Sequence, residues 1–488
     1  MLNIKFMESR TDLGSVYSSK SFLPQEKCGI FAVYGYSGPE NAAFIAYLGL
    51  LALQHRGQES AGMAYIKNRG VEAIKGMGLV DRVFSQPVLA GIDSRTILGH
   101  VRYSTTGLSY AANAQPLLAR AADKKAVAVA HNGNLTNTRR LHNRLLEEGH
   151  IFHSTSDTEI ILSYLSRFRK HSLDGAVQKT MEIIEGAYAA VVLDENQIIA
   201  FRDPNGFRPL VIGRVGGAYI FASETAALDA VGAVFLRDVA PGEIVSAGPG
   251  GLSSKQNFSQ IQKTEHFKAA SLCMFEYIYF SRPDSVLEGK SVYETRKKVG
   301  SLLAGHVPSE LDLVIPSPDS GVAAAIGLAD KLRLPLQWAV HCNPYLGRTF
   351  IEPTQGEREM AVRLKLNPVK ELVAGKKVAI VDDSLVRGTT ARVLVSLLRE
   401  AGALEVHLCI ASPPYRFPCY YGIDIPLAAD LAAEQGIKGL TGATGADSVN
   451  FARLEDLYAA IGKEEGSLCA ACFSGNYPTL NKMRGMVS

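Results

Sequence analysis

Lys377-Val-Ala-Ile-Val-Asp-Asp-Ser-Leu-Val-Arg-Gly-Thr-Thr390 passes from an apolar run to paired carboxylates and then to a Gly/Thr turn. Val378 to Val381 has the length and character of a strand buried on both faces of a parallel sheet. Asp382 and Asp383 stand where that strand ends, followed by Ser384, Arg387, Gly388, Thr389 and Thr390. A helical pattern then starts, with Val393, Leu394, Leu397 and Leu398 on one face and Gly402 as its stop. Strand, turn and helix N-terminus together make an anion site, because free backbone N–H groups and the helix dipole point into the turn. Carboxylates do not suit the anion itself. They suit the vicinal hydroxyls of a sugar and a Mg²⁺ ion beside it.

Outward from this stretch the same pattern recurs. Leu311 to Ile315 reads as a strand, Pro316-Ser-Pro-Asp-Ser-Gly321 as a turn and Val322 to Leu332 as a helix. The alternation predicts a parallel sheet with ligands at the carboxyl ends of its strands. Between the two units, Gly347 to Glu359 is rich in Gly, Pro and charge and reads as a surface loop. These motifs resemble the type I phosphoribosyltransferases, which bind phosphoribosyl pyrophosphate (PRPP). The resemblance implies that Asp319, Ser320 and Gly321 form the pyrophosphate loop, and that Asp382, Asp383, Ser384, Arg387, Gly388, Thr389 and Thr390 hold the ribose phosphate. It also implies that Ser320, Asp382 and Asp383 are the Mg²⁺-associated positions. Arg348, Arg358, Arg363 and Lys365 are then either pyrophosphate contacts or solvated loop charges.

The first half reads differently. Cys28-Gly-Ile-Phe-Ala-Val-Tyr-Gly35 is a strand opening on a thiol, and what precedes it is polar and unpatterned. Ala189–Leu193 with Gln197–Phe201, and Leu210–Gly213 with Ala218–Ala222, read as strand pairs, the second joined across Gly216-Gly217. Helical patterns lie near Thr138 to Glu148 and Asp157 to Phe168, and Ser156 with Glu159 is a capping-box candidate for the latter. Hairpins with helices alongside predict antiparallel sheets packed between helices. Gln54-His-Arg-Gly-Gln-Glu-Ser60, Gly99-His-Val-Arg-Tyr-Ser-Thr-Thr106, His131-Asn-Gly-Asn-Leu135 and Ser156-Asp-Thr-Glu159 follow Cys28 in order. With it they resemble the glutaminase domain of class II, N-terminal-nucleophile (Ntn) glutamine amidotransferases.

Hydrolysis of a side-chain amide needs a nucleophile, a base and an oxyanion hole. By the resemblance, Cys28 supplies the thiol, and its own α-amino group, with an ordinary pKa of roughly 7.7–8.0, supplies the base. That requires removal of residues 1–27 as a propeptide; the alternative is a tail that stays attached. Asn132 and Gly133 become the oxyanion hole, Arg102 the clamp on the glutamine carboxylate, Asp157 the partner of its ammonium, and Arg56 part of the same pocket. His100 and His131 are expected to be structural, and Glu59 a surface or packing partner.

Of 488 residues, 47% are hydrophobic and 20% charged, so two or three ordinary globular domains are expected. A net charge of +3 gives no reason to infer nucleic acid or an anionic membrane. The longest apolar run, Ala42 to Leu53, is too short for a bilayer span. Without a secretory pattern at the start, a cytoplasmic enzyme with reduced thiols is expected. Seven cysteines, an odd number, point to chemistry or metal rather than to a disulfide framework. Cys469-Ala-Ala-Cys472 alone allows zinc, redox or iron–sulfur chemistry. Cys342 and Cys409 read as core, and Trp338 as packing.

The polar stretch Gly250 to Phe267 is taken as the junction, giving a glutaminase domain over 28–265 and an acceptor domain over 266–488. A two-domain chain is expected: an αββα Ntn-hydrolase sandwich, then a parallel-sheet phosphoribosyltransferase fold. The combination resembles the iron–sulfur branch of the glutamine PRPP amidotransferase family, which acts in purine biosynthesis. That resemblance implies PRPP and glutamine as substrates, Mg²⁺, a 4Fe-4S cluster on Cys273, Cys419, Cys469 and Cys472 (zinc as alternative), purine nucleotides as feedback inhibitors and a homotetramer. Ammonia made at Cys28 would pass inside the protein to C1 of PRPP. Two other readings are a different class II amidotransferase and a catalytically silent PRPP sensor. The acid-pair stretch argues against the first, and the complete set Cys28, Arg102, Asn132 and Asp157 against the second.

Overall fold

The structure is a computed structural model that describes residues 4–6, 28–103, 110–170, 172–256, 271–343, 364–386, 388–423 and 436–479. In the first half two sheets stack face to face. One has eight strands, in spatial order Ile4–Phe6, Gly70–Met77, Ser60–Lys67, Ile97–Arg102, Gly29–Tyr34, Ala218–Ala222, Val211–Val215 and Val234–Asp238. The other has six, in the order Gly251–Gln256, Glu243–Gly248, Ile198–Arg202, Gly186–Leu193, Ala126–Leu135 and Leu117–Arg120. Apart from the first short strand, the pairings are antiparallel.

Alternation decides which side chains meet. Ile30, Ala32 and Leu98 of the larger sheet face Ala128, Ala130, Ala189 and Val191 of the smaller, and this dry layer is the central core. Phe31 and Val33, pointing the other way, pack under the helix Ala42–Ala52. Val129, Tyr188 and Val192 pack under the helices Thr158–Phe168 and Leu173–Met181. Helix, sheet, sheet and helix form the αββα sandwich expected from the hairpin pattern.

The second half is built on four parallel strands, Leu313–Pro316, Lys377–Asp382, Glu405–Ile410 and Ser448–Phe451. Helices Val292–Leu303 and Val322–Leu332 contribute to the core on one face, and Thr389–Glu400 to that on the other. Val378, Ala379, Ile380 and Val381 are fully buried, as their unbroken apolarity requires.

The halves are joined by more than the covalent chain. Ser271 N donates to Asn205 O at 2.6 Å and Cys273 N to Phe207 O at 3.1 Å. Cys469 and Ala471 also pack with Ala187 and Phe207 of the sandwich.

Three expectations need correction. Gly251–Gln256, inside the stretch taken as a linker, is an edge strand of the six-stranded sheet; residues 257–270 lie outside the described ones. The stretch before Cys28 is not wholly without structure, since Ile4–Phe6 pairs in parallel with Ala73–Lys75. Trp338 is 57% exposed and so is not packing; it lies between the buried Ala339 and the half-buried Gln337.

Candidate active site

Cys28 is buried just before its strand, and its Sγ lies 3.7 Å from Tyr103 O. Strand register ties this point to the oxyanion candidates. Ile30 pairs with His100, and His100 Nε2 meets His131 O at 3.1 Å across the two sheets. Asn132 and Gly133 follow directly. Asn132 is 3% exposed, and its Nδ2 has no hydrogen-bond partner among the described residues. A buried amide donor without an acceptor is costly unless something else supplies one. Gly133 has φ +140°, and a Cβ there would stand 2.1 Å from Ala187 O. Only glycine fits, so its main chain is held against the neighbouring strand.

The rest of the pocket is framed by hydrogen bonds. Asp157 Oδ2 accepts from Leu135 N at 2.9 Å, and its Oδ1 is 3.6 Å from His131 Nδ1. Gln115 Oε1 accepts from His131 N at 2.8 Å. Arg102 ends its strand, buried, with Nη1 3.5 Å from Glu59 Oε2, so Glu59 is its charge partner. Burial drives His100 down to about 3, helped by the charges of Arg102 and His131, so the ring is neutral. It is a structural bridge, as expected, and not the base for Cys28.

Two assignments change. Arg56 does not line a substrate pocket: it is fully buried. Its Nε donates to Cys28 O at 3.0 Å, Nη1 to Glu224 at 2.5 Å, and Nη1 and Nη2 to Glu276 at 3.0 and 2.9 Å. With its fork engaged on interior groups, it holds the nucleophile's main chain rather than glutamine. The capping box at Ser156 does not form either. Glu159 turns back to accept from His153 N, Ser154 N and Ser154 Oγ, fixing the loop before the helix.

The second constellation sits at the carboxyl edge of the parallel sheet. Ser320 Oγ donates to Asp382 Oδ1 at 3.0 Å, Asp383 N donates to the same oxygen at 3.0 Å, and Ser384 Oγ donates to Asp383 Oδ2 at 2.6 Å. Gly321 touches this strand so closely that a Cβ would stand 2.0 Å from Val381 O. Burial, and then the adjacent Asp383 charge, push Asp382 up. A cation at the pair would favour both carboxylates charged. Gly388, at φ +75°, caps the helix Thr389–Glu400 and has no side chain to occupy its first-turn N–H groups. Thr390 is half-buried in that turn. The Pro318–Asp319 peptide before Ser320 is cis. Arg348, Arg358, Arg363 and Arg387 lie outside the described residues, as does the loop 347–359.

Of the four cysteines predicted to act together, the backbone brings Cys273 beside Cys469, and Cys472 beside the segment that leads to Cys419. Cys273 and Cys469 form an isolated parallel bridge, and Cys472 O accepts from Arg416 N and Phe417 N, just before Cys419. Cys472 is pushed up by burial first, then by Cys419, Cys273 and Cys469. Among the described residues no group of three or more His, Cys, Asp or Glu forms a set that could hold a metal ion. Four sulfur donors would suit iron–sulfur or zinc chemistry rather than Mg²⁺. No disulfide joins any of the seven cysteines. Cys409 is core; Cys342 is only half-buried.

Sequence reasoning missed Glu224 and Glu276. A signal existed for the second: it is the one charge in Leu272-Cys-Met-Phe-Glu-Tyr-Ile-Tyr-Phe280. A single carboxylate in an apolar run requires a buried partner.

Comparison with known proteins finds relatives over nearly the whole chain. A family model described as "Glutamine amidotransferase domain" matches residues 100–230. The chain is 42% identical over 459 residues to the amidophosphoribosyltransferase of Bacillus subtilis (strain 168), covering 93% of this chain and 94% of that one. It is 43% identical over 462 residues to that of Synechococcus elongatus, covering 93% and 92%. Among solved structures it resembles the glutamine PRPP amidotransferase of B. subtilis complexed with ADP and GMP. That match has TM-score 0.84 and 42% identity, covering 92% of this chain and 97% of the other. A structure described as the allosteric regulatory enzyme of purine biosynthesis matches with TM-score 0.85 at 42% identity.

Proposed function

The chain belongs to the amidophosphoribosyltransferase family, and from that premise we propose how its residues divide the reaction. It is a glutamine-dependent pentosyltransferase that converts PRPP, glutamine and water into 5-phosphoribosylamine, glutamate and pyrophosphate. The observation that carries the division of labour is the unsatisfied, buried Asn132 amide beside the bridge that positions the Cys28 strand.

With residues 1–27 removed, the α-amine of Cys28 takes the thiol proton and the sulfur attacks the side-chain amide. Asn132 Nδ2 and the Gly133 N–H receive the oxyanion that forms. Arg102 and Asp157 hold the substrate's carboxylate and ammonium, the role given to a planar fork and a carboxylate respectively. The amide nitrogen leaves as ammonia, and water releases glutamate from the thioester. Ammonia then attacks C1 of PRPP and pyrophosphate departs. Asp319, Ser320 and Gly321 cradle the pyrophosphate, Asp382 and Asp383 orient the ribose hydroxyls, and residues 384–390 hold the 5-phosphate. Ser320, Asp382 and Asp383 would hold Mg²⁺, which neutralises charge on the leaving group. Cys273, Cys419, Cys469 and Cys472 would hold a 4Fe-4S cluster, with zinc the other candidate; either would tie the last segment to both halves. Purine nucleotides as inhibitors, a homotetrameric assembly and a cytoplasmic location complete the reading.

The test is release of pyrophosphate and glutamate by the purified chain given PRPP, glutamine and Mg²⁺, with the intact mass of the active protein. Both products and a mass beginning at Cys28 are expected. Full activity with residues 1–27 retained removes the α-amine as base. Binding without turnover identifies a silent sensor.

A further inference from the structure

Glu276 is wholly buried, and a carboxylate persists there only with charge partners and a full set of hydrogen bonds. Arg56 meets it with both prongs, at 2.9 and 3.0 Å. Ser281 Oγ donates to Oε2 at 2.8 Å, and Arg208 Nη1 lies 3.4 Å from Oε1. The same guanidinium donates to the carbonyl of Cys28. Being planar, it cannot follow a displacement of Glu276 without moving its other contacts. One rigid fork therefore joins the nucleophile's main chain to Glu276, a residue of the acceptor half.

On its other side Glu276 begins a π-helical turn, Glu276–Phe280. Such single π turns recur at functional sites. Arg296, from the helix Val292–Leu303, holds two carbonyls of this segment, Tyr277 O and Ser281 O, both at 2.7 Å. Arg296, Tyr277 and Ile278 wall a small cavity with Ser320 and Asp383. The route from acid pair to nucleophile thus runs through one shared cavity wall and a short series of hydrogen bonds.

We propose that Glu276 is a positioning residue that couples the two sites: occupancy of the acid-pair site shifts the 276–280 turn, and Glu276 transmits that shift through Arg56 to the main chain of Cys28. The inference rests on the functional reading above. Arg56 and Glu276 touch no reacting atom; they set where the sulfur stands.

The test compares the full-length chain with Glu276→Gln in two assays. One is glutamate formation from glutamine with and without PRPP. The other is PRPP-dependent pyrophosphate release with ammonium chloride as nitrogen donor, which bypasses Cys28. In E276Q the stimulation of glutamine hydrolysis by PRPP is expected to fall about tenfold, while the ammonium-driven rate stays unchanged. Glu276→Asp should restore part of the stimulation. Stimulation kept in E276Q overturns the proposal, as does an equal loss in both assays, which marks a merely structural role. If E276Q is insoluble, Ser281→Ala removes one donor from the same carboxylate and carries the same comparison. Wild-type protein that releases no pyrophosphate from PRPP with either donor fails the functional reading itself, a result distinct from lost coupling in a working enzyme.

Discussion

Asn132 carries most at the scale of the single residue. Its amide faces no acceptor among the described residues, so the fold tolerates an energetic deficit that an oxyanion would relieve. Asn132→Ala should lower kcat for glutamine hydrolysis by roughly 10²–10³, with little change in KM and none in the ammonium-driven rate; steady-state kinetics with both donors checks this. His100 predicts a pH dependence. Burial holds it at about 3, below the ordinary 6.5, so on acidification the unfolded chain takes up the proton first. The stability this represents is fully present above about pH 6.5 and is lost as pH falls toward 3. Urea denaturation between pH 7 and 4 should show a shallower loss for His100→Gln than for wild type. Arg56 shows the limit of reading residues singly. Its carboxylate partners lie 168 and 220 positions away, and nothing local distinguishes a substrate clamp from a buried strut.

Among elements, the strand-turn-helix from Lys377 to Glu400 was the most legible. Its burial is continuous, its turn is chemically distinctive, and both are local properties of sequence. Gly251–Gln256 was illegible for the complementary reason. An edge strand with largely exposed side chains loses the apolar alternation that betrays inner strands. The Ser156–Glu159 spacing fitted a capping box, yet the preceding loop offered Glu159 three donors, two of them backbone N–H, and won it. The pyrophosphate loop yields a prediction at this scale. Its closeness to the acid-pair strand depends on Gly321, where a methyl group would meet Val381 O at 2.0 Å. Gly321→Ala should push the loop outward, and a displacement near 1 Å costs on the order of 10²-fold in rate. Pyrophosphate release with ammonium as donor should fall by that order, while PRPP-independent glutamine hydrolysis is unaffected.

For the whole molecule, the αββα sandwich and the parallel sheet form one packed body, joined by the buried charges around Arg56 and Glu276 and by the segment around Cys469. The cluster proposed for Cys273, Cys419, Cys469 and Cys472 predicts that purified protein carries iron and acid-labile sulfide, and that Cys472→Ser loses both. Loss of the metal centre should also lower the thermal midpoint, because binding free energy at such a site is folding free energy. Colourless, zinc-containing, active protein would instead assign the site to zinc. The placement of Cys469 and Ala471 has a consequence for biosynthesis. Translation delivers them after Ala187, Phe207 and Leu272, the residues they cover. During synthesis that seam therefore stays open until Cys469 and Ala471 emerge, and a chain stopped before them leaves Ala187 and Phe207 without this apolar cover.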